Sequence, residues 1–307
     1  MTRPAAGRAR AAAALLAAAA AAPLSTAWAD EVPLPGPVIE GPITKVPAGA
    51  PVTSTTEPLW ELGIGVAGVR FPDYRGSDQS SGYILPFPFV AYRGRFLRAD
   101  RDGARAILFA GREVVIDLSL SASVPSDSKS NDARRGMPDL PGSFEFGPNV
   151  NVELWQSASR TFKLDLRLPL RQAVTLQWPP RAIGITFSPN LNLDVRSFAG
   201  AWNLGLLAGP VFATARHHEH FYSVAPEFAT GSRPAYEAPG GYGGWRATAA
   251  LSRRLGNAWL GGFVRYDDVQ GASFAQSPLV RSKNNLTAGF GISWIFATSS
   301  QRVQTDD

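Results

Sequence analysis

From Phe144 to Leu154 the chain alternates apolar and polar residues without a slip. Phe144, Phe146, Pro148, Val150, Val152 and Leu154 fall on one side; Glu145, Gly147, Asn149, Asn151 and Glu153 fall on the other. A period of two marks an extended strand with two unlike environments, because successive side chains point to opposite faces. The pattern recurs. Leu164, Leu166, Leu168 and Leu170 alternate with Lys163, Asp165, Arg167 and Arg171. Val114, Ile116, Leu118 and Leu120 alternate with Val115, Asp117, Ser119 and Ser121, and Leu191, Leu193 and Val195 with Asn190, Asn192 and Asp194. Leu286, Ala288, Phe290, Ile292, Trp294 and Phe296 close the series.

The N-terminus says where such strands end up. Arg3, Arg8 and Arg10 precede an Ala/Leu stretch from Ala11 to Ala22, and Ala27-Trp28-Ala29 supplies small residues for cleavage. Residues 1–29 therefore read as a secretory signal, with Asp30 beginning the mature chain. Without the three signal arginines, 27 basic residues face 25 acidic ones, so the basic excess comes largely from the leader. No basic cluster suits nucleic acid. There is no cysteine, which excludes a lipoprotein anchor, a disulfide frame and thiol chemistry. After the leader no apolar run reaches the length of a membrane helix. Export and pervasive alternation together predict an all-β fold: an antiparallel up-and-down transmembrane β-barrel, lipid outside and a polar lumen inside, in a Gram-negative outer membrane.

Twelve strands are predicted, near 60–71, 82–92, 95–101, 104–110, 112–123, 143–156, 160–172, 181–195, 201–215, 244–255, 258–269 and 283–296. The third and fourth are short for a crossing, so ten is the alternative. The connections are asymmetric. Gaps 72–81, 124–142, 173–180, 216–243 and 270–282 are long, whereas 93–94, 111, 157–159, 196–200 and 256–257 are short. Outer-membrane barrels have long external loops and short periplasmic turns; only the tight 102–103 turn breaks the rule. Trp60, Trp155, Trp178, Trp202, Trp245, Trp259 and Trp294 lie near strand ends, as interface girdles would place them. Residues 30–58 contain seven prolines and read as a disordered periplasmic arm. The barrel domain is placed at 59–296 and a polar tail at 297–307.

The loops carry further pattern. Pro72-Asp73-Tyr74-Arg75-Gly76-Ser77-Asp78 follows the first strand, then come Leu85-Pro86-Phe87-Pro88 and Ala91-Tyr92-Arg93-Gly94. Asn131 to Leu140, with Gly136-Met137-Pro138-Asp139 inside it, precedes Phe146-Gly147-Pro148; Tyr222 to Glu227 and Ser277-Pro278-Leu279-Val280 come last. In this order they resemble the MipA/OmpV family, named for the MltA-interacting protein. The resemblance implies an outer-membrane barrel. It also implies a non-enzymatic scaffold that joins a lytic transglycosylase to a penicillin-binding protein. The alternatives are a narrow porin-like channel for small solutes, or a surface adhesin or envelope-stress protein. It supplies no catalytic residues. Asp73, Tyr74, Gly76, Ser77, Asp78, Gly136, Met137 and Asp139 stand as motif positions, and turn chemistry is the favoured reading over a partner site.

Chemistry is otherwise sparse, and no cofactor is expected. All three histidines lie in His217-His218-Glu219-His220. On a strand, His218 and His220 would share a face, so His217, His218 and His220 are weak metal candidates. No Gly-x-Ser-x-Gly elbow is present. Gly240-Gly241-Tyr242-Gly243-Gly244 reads as a flexible loop. Glu145, Glu153, Lys163, Asp165, Arg167 and Arg171 alternate onto the polar side and predict a salt-bridged lumen.

Overall fold

A computed structural model describes residues 55–94, 97–100, 103–111 and 113–305. The leader and most of the Pro-rich arm lie outside the described residues. The strands are β1 (Thr55–Pro58), β2 (Trp60–Pro72), β3 (Ser80–Arg93), β4 (Leu97–Asp100), β5 (Gly103–Ala110), β6 (Val114–Ser123), β7 (Ser143–Gln156), β8 (Phe162–Thr175), β9 (Ala182–Phe187), β10 (Asn190–Phe198), β11 (Trp202–Ala213), β12 (Gly241–Leu255), β13 (Ala258–Asp268), β14 (Asn284–Thr298) and β15 (Arg302–Thr305).

All pairings are antiparallel. β2 to β9 pair in sequence, β10 to β14 pair in sequence, and β14 returns to β2. β10 also pairs with β8, so the ladders run once around. β9 and β10 are two parts of one crossing, since each pairs with both β8 and β11. Ser188-Pro189 separates them; proline has no N–H to continue a ladder. Counted as one crossing, they give the twelve predicted. The long, alternating strands dominate: β7, β8, β12 and β14 run 14 or 15 residues each.

Alternation sorts the side chains as the sequence requires. Ile64, Ile84, Leu286, Phe290, Ile292 and Trp294 point outward and are exposed. Asn285, Thr287, Ser293 and Glu61 point inward and are buried. An apolar belt with no protein to cover it is stable only against hydrocarbon. Among the described residues no helix is long and apolar enough to cross a membrane.

Four expectations need correction. The arm is not structureless where described: β1 pairs with β15, in the polar tail, from Thr55↔Thr305 through Pro58↔Arg302 as a separate two-stranded ribbon. Gly241-Tyr242-Gly243-Gly244 is not a loop but the start of β12, paired with β11. The segment after β11 is helical, α1 (Ala215–Tyr222), and not a strand. Trp259 belongs to no girdle; it faces the lumen, against Phe89 at 5.8 Å between ring centroids.

One stretch of wall is incomplete. β4 and β5 have four and eight residues. β3 meets β4 only at Tyr92↔Ala99 and Arg93↔Arg98, so among the described residues Ser80–Ala91 has no partner on that edge. The Arg93 N–H and the Gln79 carbonyl both turn toward the β2 side. Odd residues of β3 therefore serve β2, and the even ones, Pro86 and Pro88, put their missing N–H on the open edge.

The outer face predicts its own test. Ile292 lies midway along β14 and is 52% exposed. Ile292→Lys should cost about 2–4 kcal/mol of stability in lipid. Thr248→Asn, on the open luminal side of β12, should cost less than about 1 kcal/mol. Urea unfolding in vesicles compares the two directly, and equal losses would place lipid on neither face.

Candidate functional site: a capped and layered lumen

The long connections of the barrel's loop end fold together into one packed cap. Tyr74, Leu140, Tyr222, Val224, Phe274 and Leu279 form its buried centre, with Met137 and Val280 packed against it. The Tyr222 and Phe274 rings stack with centroids 3.6 Å apart. Burying this much aromatic surface gives the loops a hydrophobic core separate from the barrel.

The motif residues are its fastenings. The Tyr74 hydroxyl donates to the Leu279 carbonyl (2.7 Å), and burial pushes that phenol up to about 12. The Asp73 carboxylate accepts from Ser81 Oγ (2.8 Å) and from Asn131 Nδ2 (2.9 Å). Gly76 takes φ +94°, a left-handed turn that favours glycine, and its N–H donates to Asn285 Oδ1. Asn285 Nδ2 returns a bond to the Ser77 carbonyl (2.8 Å), and Ser77 Oγ accepts from Asn131 (3.1 Å). Asp78 lies 4.0 Å from Arg281 on the rim. In the third loop, Asp139 Oδ1 accepts from the Ser128 N–H (2.7 Å) and Gly136 turns the chain at φ +82°.

Four residues that the sequence reading did not single out hold the loops to one another. Asn131 is fully buried and bridges Asp73 and Ser77. Asn285 ties β14 to the first loop. Arg134 donates to the Phe221 and Pro138 carbonyls, and Arg233 to those of Ala133, Arg135 and Phe228. Asn131 and Arg134 stood inside a quoted motif; a buried polar side chain that serves several backbone groups leaves no periodic signal.

The histidines are part of this packing. On α1, His218 and His220 do not share a face. His218 Nδ1 contacts the Pro239 carbonyl at 2.8 Å, which makes it a donor, and its ring abuts Phe274. Ser273 Oγ lies 3.2 Å from the same nitrogen, and it too aims at the Pro239 carbonyl (3.1 Å). With both protons directed at one carbonyl, this Ser–His contact has no free base. Burial, together with the nearby His217, Arg75 and Arg134, holds His218 and His220 down to about 4. Among the described residues no three His, Cys, Asp or Glu side chains are grouped to hold a metal.

Below the cap the lumen is layered. Toward the loop end, Asp267 is fully buried among Arg75 (2.9 Å), Arg246 (3.0 Å) and Arg265 (2.8 Å). Toward the turn end, Glu61 is 1% exposed and meets Arg254 (2.5 Å) and Arg93 (3.4 Å). The inward charges named from sequence line one half of the wall. Lys163 meets Asp165 (3.1 Å) and Glu153 (3.8 Å), and Arg167 reaches Asp194 (3.8 Å). Arg171 donates to Ser119 Oγ, while Glu145 accepts from Thr186 and lies 3.8 Å from His217. Between the two ionic layers the other half is not lined by charges: there β2, β3, β13 and β14 turn Val69, Phe87, Phe263 and several glycines inward. Glycine and aromatic residues alternate with outward apolar ones there, so polarity gave no contrast to read.

The family described as MltA-interacting protein MipA matches residues 64–296. No curated protein matches the chain. Among solved structures, a bacterial polysaccharide outer membrane secretin shares 10% identity over 77% of this chain and 99% of its own, with a TM-score of 0.38. Outer membrane phospholipase A from Escherichia coli shares 10% over 76% and 92%, TM-score 0.31, and a porin 9% over 77% and 100%, TM-score 0.30.

Two outcomes follow from the cap. Asn131→Ala strands Asp73 and Ser77 and should destabilise the cap by about 1–3 kcal/mol. Limited proteolysis of the 124–142 loop should quicken while strand content holds; an unchanged cleavage rate would remove Asn131 from the fastening. Acid should loosen the same unit. An opened cap protonates its imidazoles near the ordinary value of about 6.5. The closed cap resists until about 4. Stability is therefore full above that upper value and falls as pH drops between the two. Protection factors of the Val224 and Tyr236 amides, which pair across the cap, should decline through that window; constant protection would contradict it.

Proposed function

The chain belongs to the MltA-interacting protein MipA family and is a β-barrel of a Gram-negative outer membrane, and from that premise we propose that it is a non-enzymatic envelope scaffold. Its partner would be a lytic transglycosylase, bound from the periplasmic side. A penicillin-binding protein that builds murein would be the second partner, held on the same side. The leader 1–29 and the Pro-rich arm keep their proposed roles as export signal and periplasmic tether.

One observation carries the reading. The cap fills the loop end, whereas the turn end bears a projecting element. The β1–β15 ribbon is fastened to the rim by Arg93, which pairs with Glu57 (2.5 Å) and donates to the Pro58 carbonyl. The Leu59 N–H bonds the Gln301 carbonyl, and Arg302 donates to the Thr56 carbonyl. A two-stranded ribbon offers two unpaired edges, and an added strand is a common mode of peptide recognition. The ribbon gathers the arm and the tail at one point, where a periplasmic enzyme can meet both. A channel has less support, because the cap and both ionic layers lie across the path of a solute.

Photocrosslinking in intact cells tests the proposal. A crosslinking residue at Thr56 or Val303 should capture a lytic transglycosylase, and one at Arg135 on the cap should not. Capture from Arg135 alone, or from none of the three, would overturn the scaffold reading.

A further inference from the structure

Between the two ionic layers the lumen holds a half-open chamber of about 580 Å³, within the range of small-molecule sites. Its apolar wall is built in an unusual way. A Cβ added at Gly65 would lie 2.7 Å from the Phe87 ring, one at Gly261 2.1 Å from the Trp259 ring, and one at Gly289 2.7 Å from the Phe263 ring. Each ring thus lies over bare backbone, with its other side toward the lumen. Phe263 points inward yet remains 37% exposed, so the chamber, and not packing, meets its ring. Apolar surface left open to water costs about 25 cal/mol per Å². Protein interiors normally fill such space.

The facing wall is different. Asn192, Asn203, Thr248 and Ser252 line it with amides and hydroxyls, beside the charged side chains of Arg167, Asp194 and Arg196. Asn203 pairs with Ser252 in register, and Ala250, next to Phe263 on the neighbouring strand, adds little bulk to the wall there. The chamber is also short. From Trp259, beside the lower ionic layer, to Arg265 in the upper one is about 20 Å of strand at roughly 3.3 Å per residue, and less along the tilted axis. An extended acyl chain of lipid length exceeds that span, whereas a compact planar molecule fits within it.

We propose that the chamber is a binding site for a planar aromatic molecule of two or three rings that carries hydroxyl or carbonyl groups along one edge. Its faces stack on Phe87, Trp259 and Phe263, where offset aromatic contacts are favourable. Its polar edge exchanges hydrogen bonds with Asn192, Asn203 and Ser252. Nothing in this assignment depends on the scaffold role.

The probe is 2-naphthol, titrated into the full chain in lipid nanodiscs, with fluorescence anisotropy corrected by empty nanodiscs. Saturable binding is expected, weakened at least tenfold in Ala250→Trp, which fills the chamber. It should be unchanged in Ile64→Ala on the lipid face. Heat-modifiable migration on gels verifies that each barrel is folded. Should Ala250→Trp fail that check, Phe263→Ala, with one stacking ring removed, should weaken binding about fivefold. Binding no greater than to empty nanodiscs overturns the proposal. So does equal affinity in the folded chamber variants, which would put the probe in the bilayer. Displacement of the bound naphthol by an equimolar amount of palmitate overturns it too, because the chamber would then belong to acyl chains.

Discussion

In hydrocarbon a backbone N–H or C=O has no water to turn to, so pairing within the protein is strongly favoured. That preference organises the molecule. It turns a run of alternating strands into a ring of ladders, and the ring decides that one side of every strand meets lipid and the other a shared interior. Even the break at Ser188-Pro189 respects it: β9 and β10 keep the same two neighbours on either side of a residue that cannot donate.

What fills the interior follows from the same economy. Charges enter only where several partners meet them, as with one carboxylate among three guanidinium groups at Asp267, or Glu61 between two. Removing the carboxylate from either cluster leaves its guanidinium groups uncompensated, which is far costlier than removing the whole set. These layers stiffen the ends of the lumen and leave an apolar room between them. The cap repeats the logic with neutral groups: Asn131 and Asn285 satisfy loop backbone that water would otherwise have to reach.

Much of this was legible in advance, and the reason is periodicity. β7, β8 and β14 announced themselves because lipid and lumen impose opposite chemistry on adjacent residues. The twelve crossings and the side bearing long loops came from the same signal. Where both faces of a strand carry similar residues, the signal vanishes. Phe87 and Phe263 looked like any other apolar residues, and Trp259 was assigned to a girdle though it faces inward. The helix at Ala215–Tyr222 was missed because its character comes from the cap packed around it. The motif loops were recognisable as a set, yet only their meeting in space explains them: Asp73, Tyr74, Gly76 and Ser77 fasten to residues as far as 209 positions away.

The bare margin of β3 bears on how the molecule behaves among its neighbours. A strand with one side unpaired ordinarily invites a second chain to zip along it, the route to fibrils and to edge-to-edge dimers. Here Pro86 and Pro88 withhold two successive donors from any such visitor, which weakens this edge, as seen among the described residues, as a template for a β-neighbour.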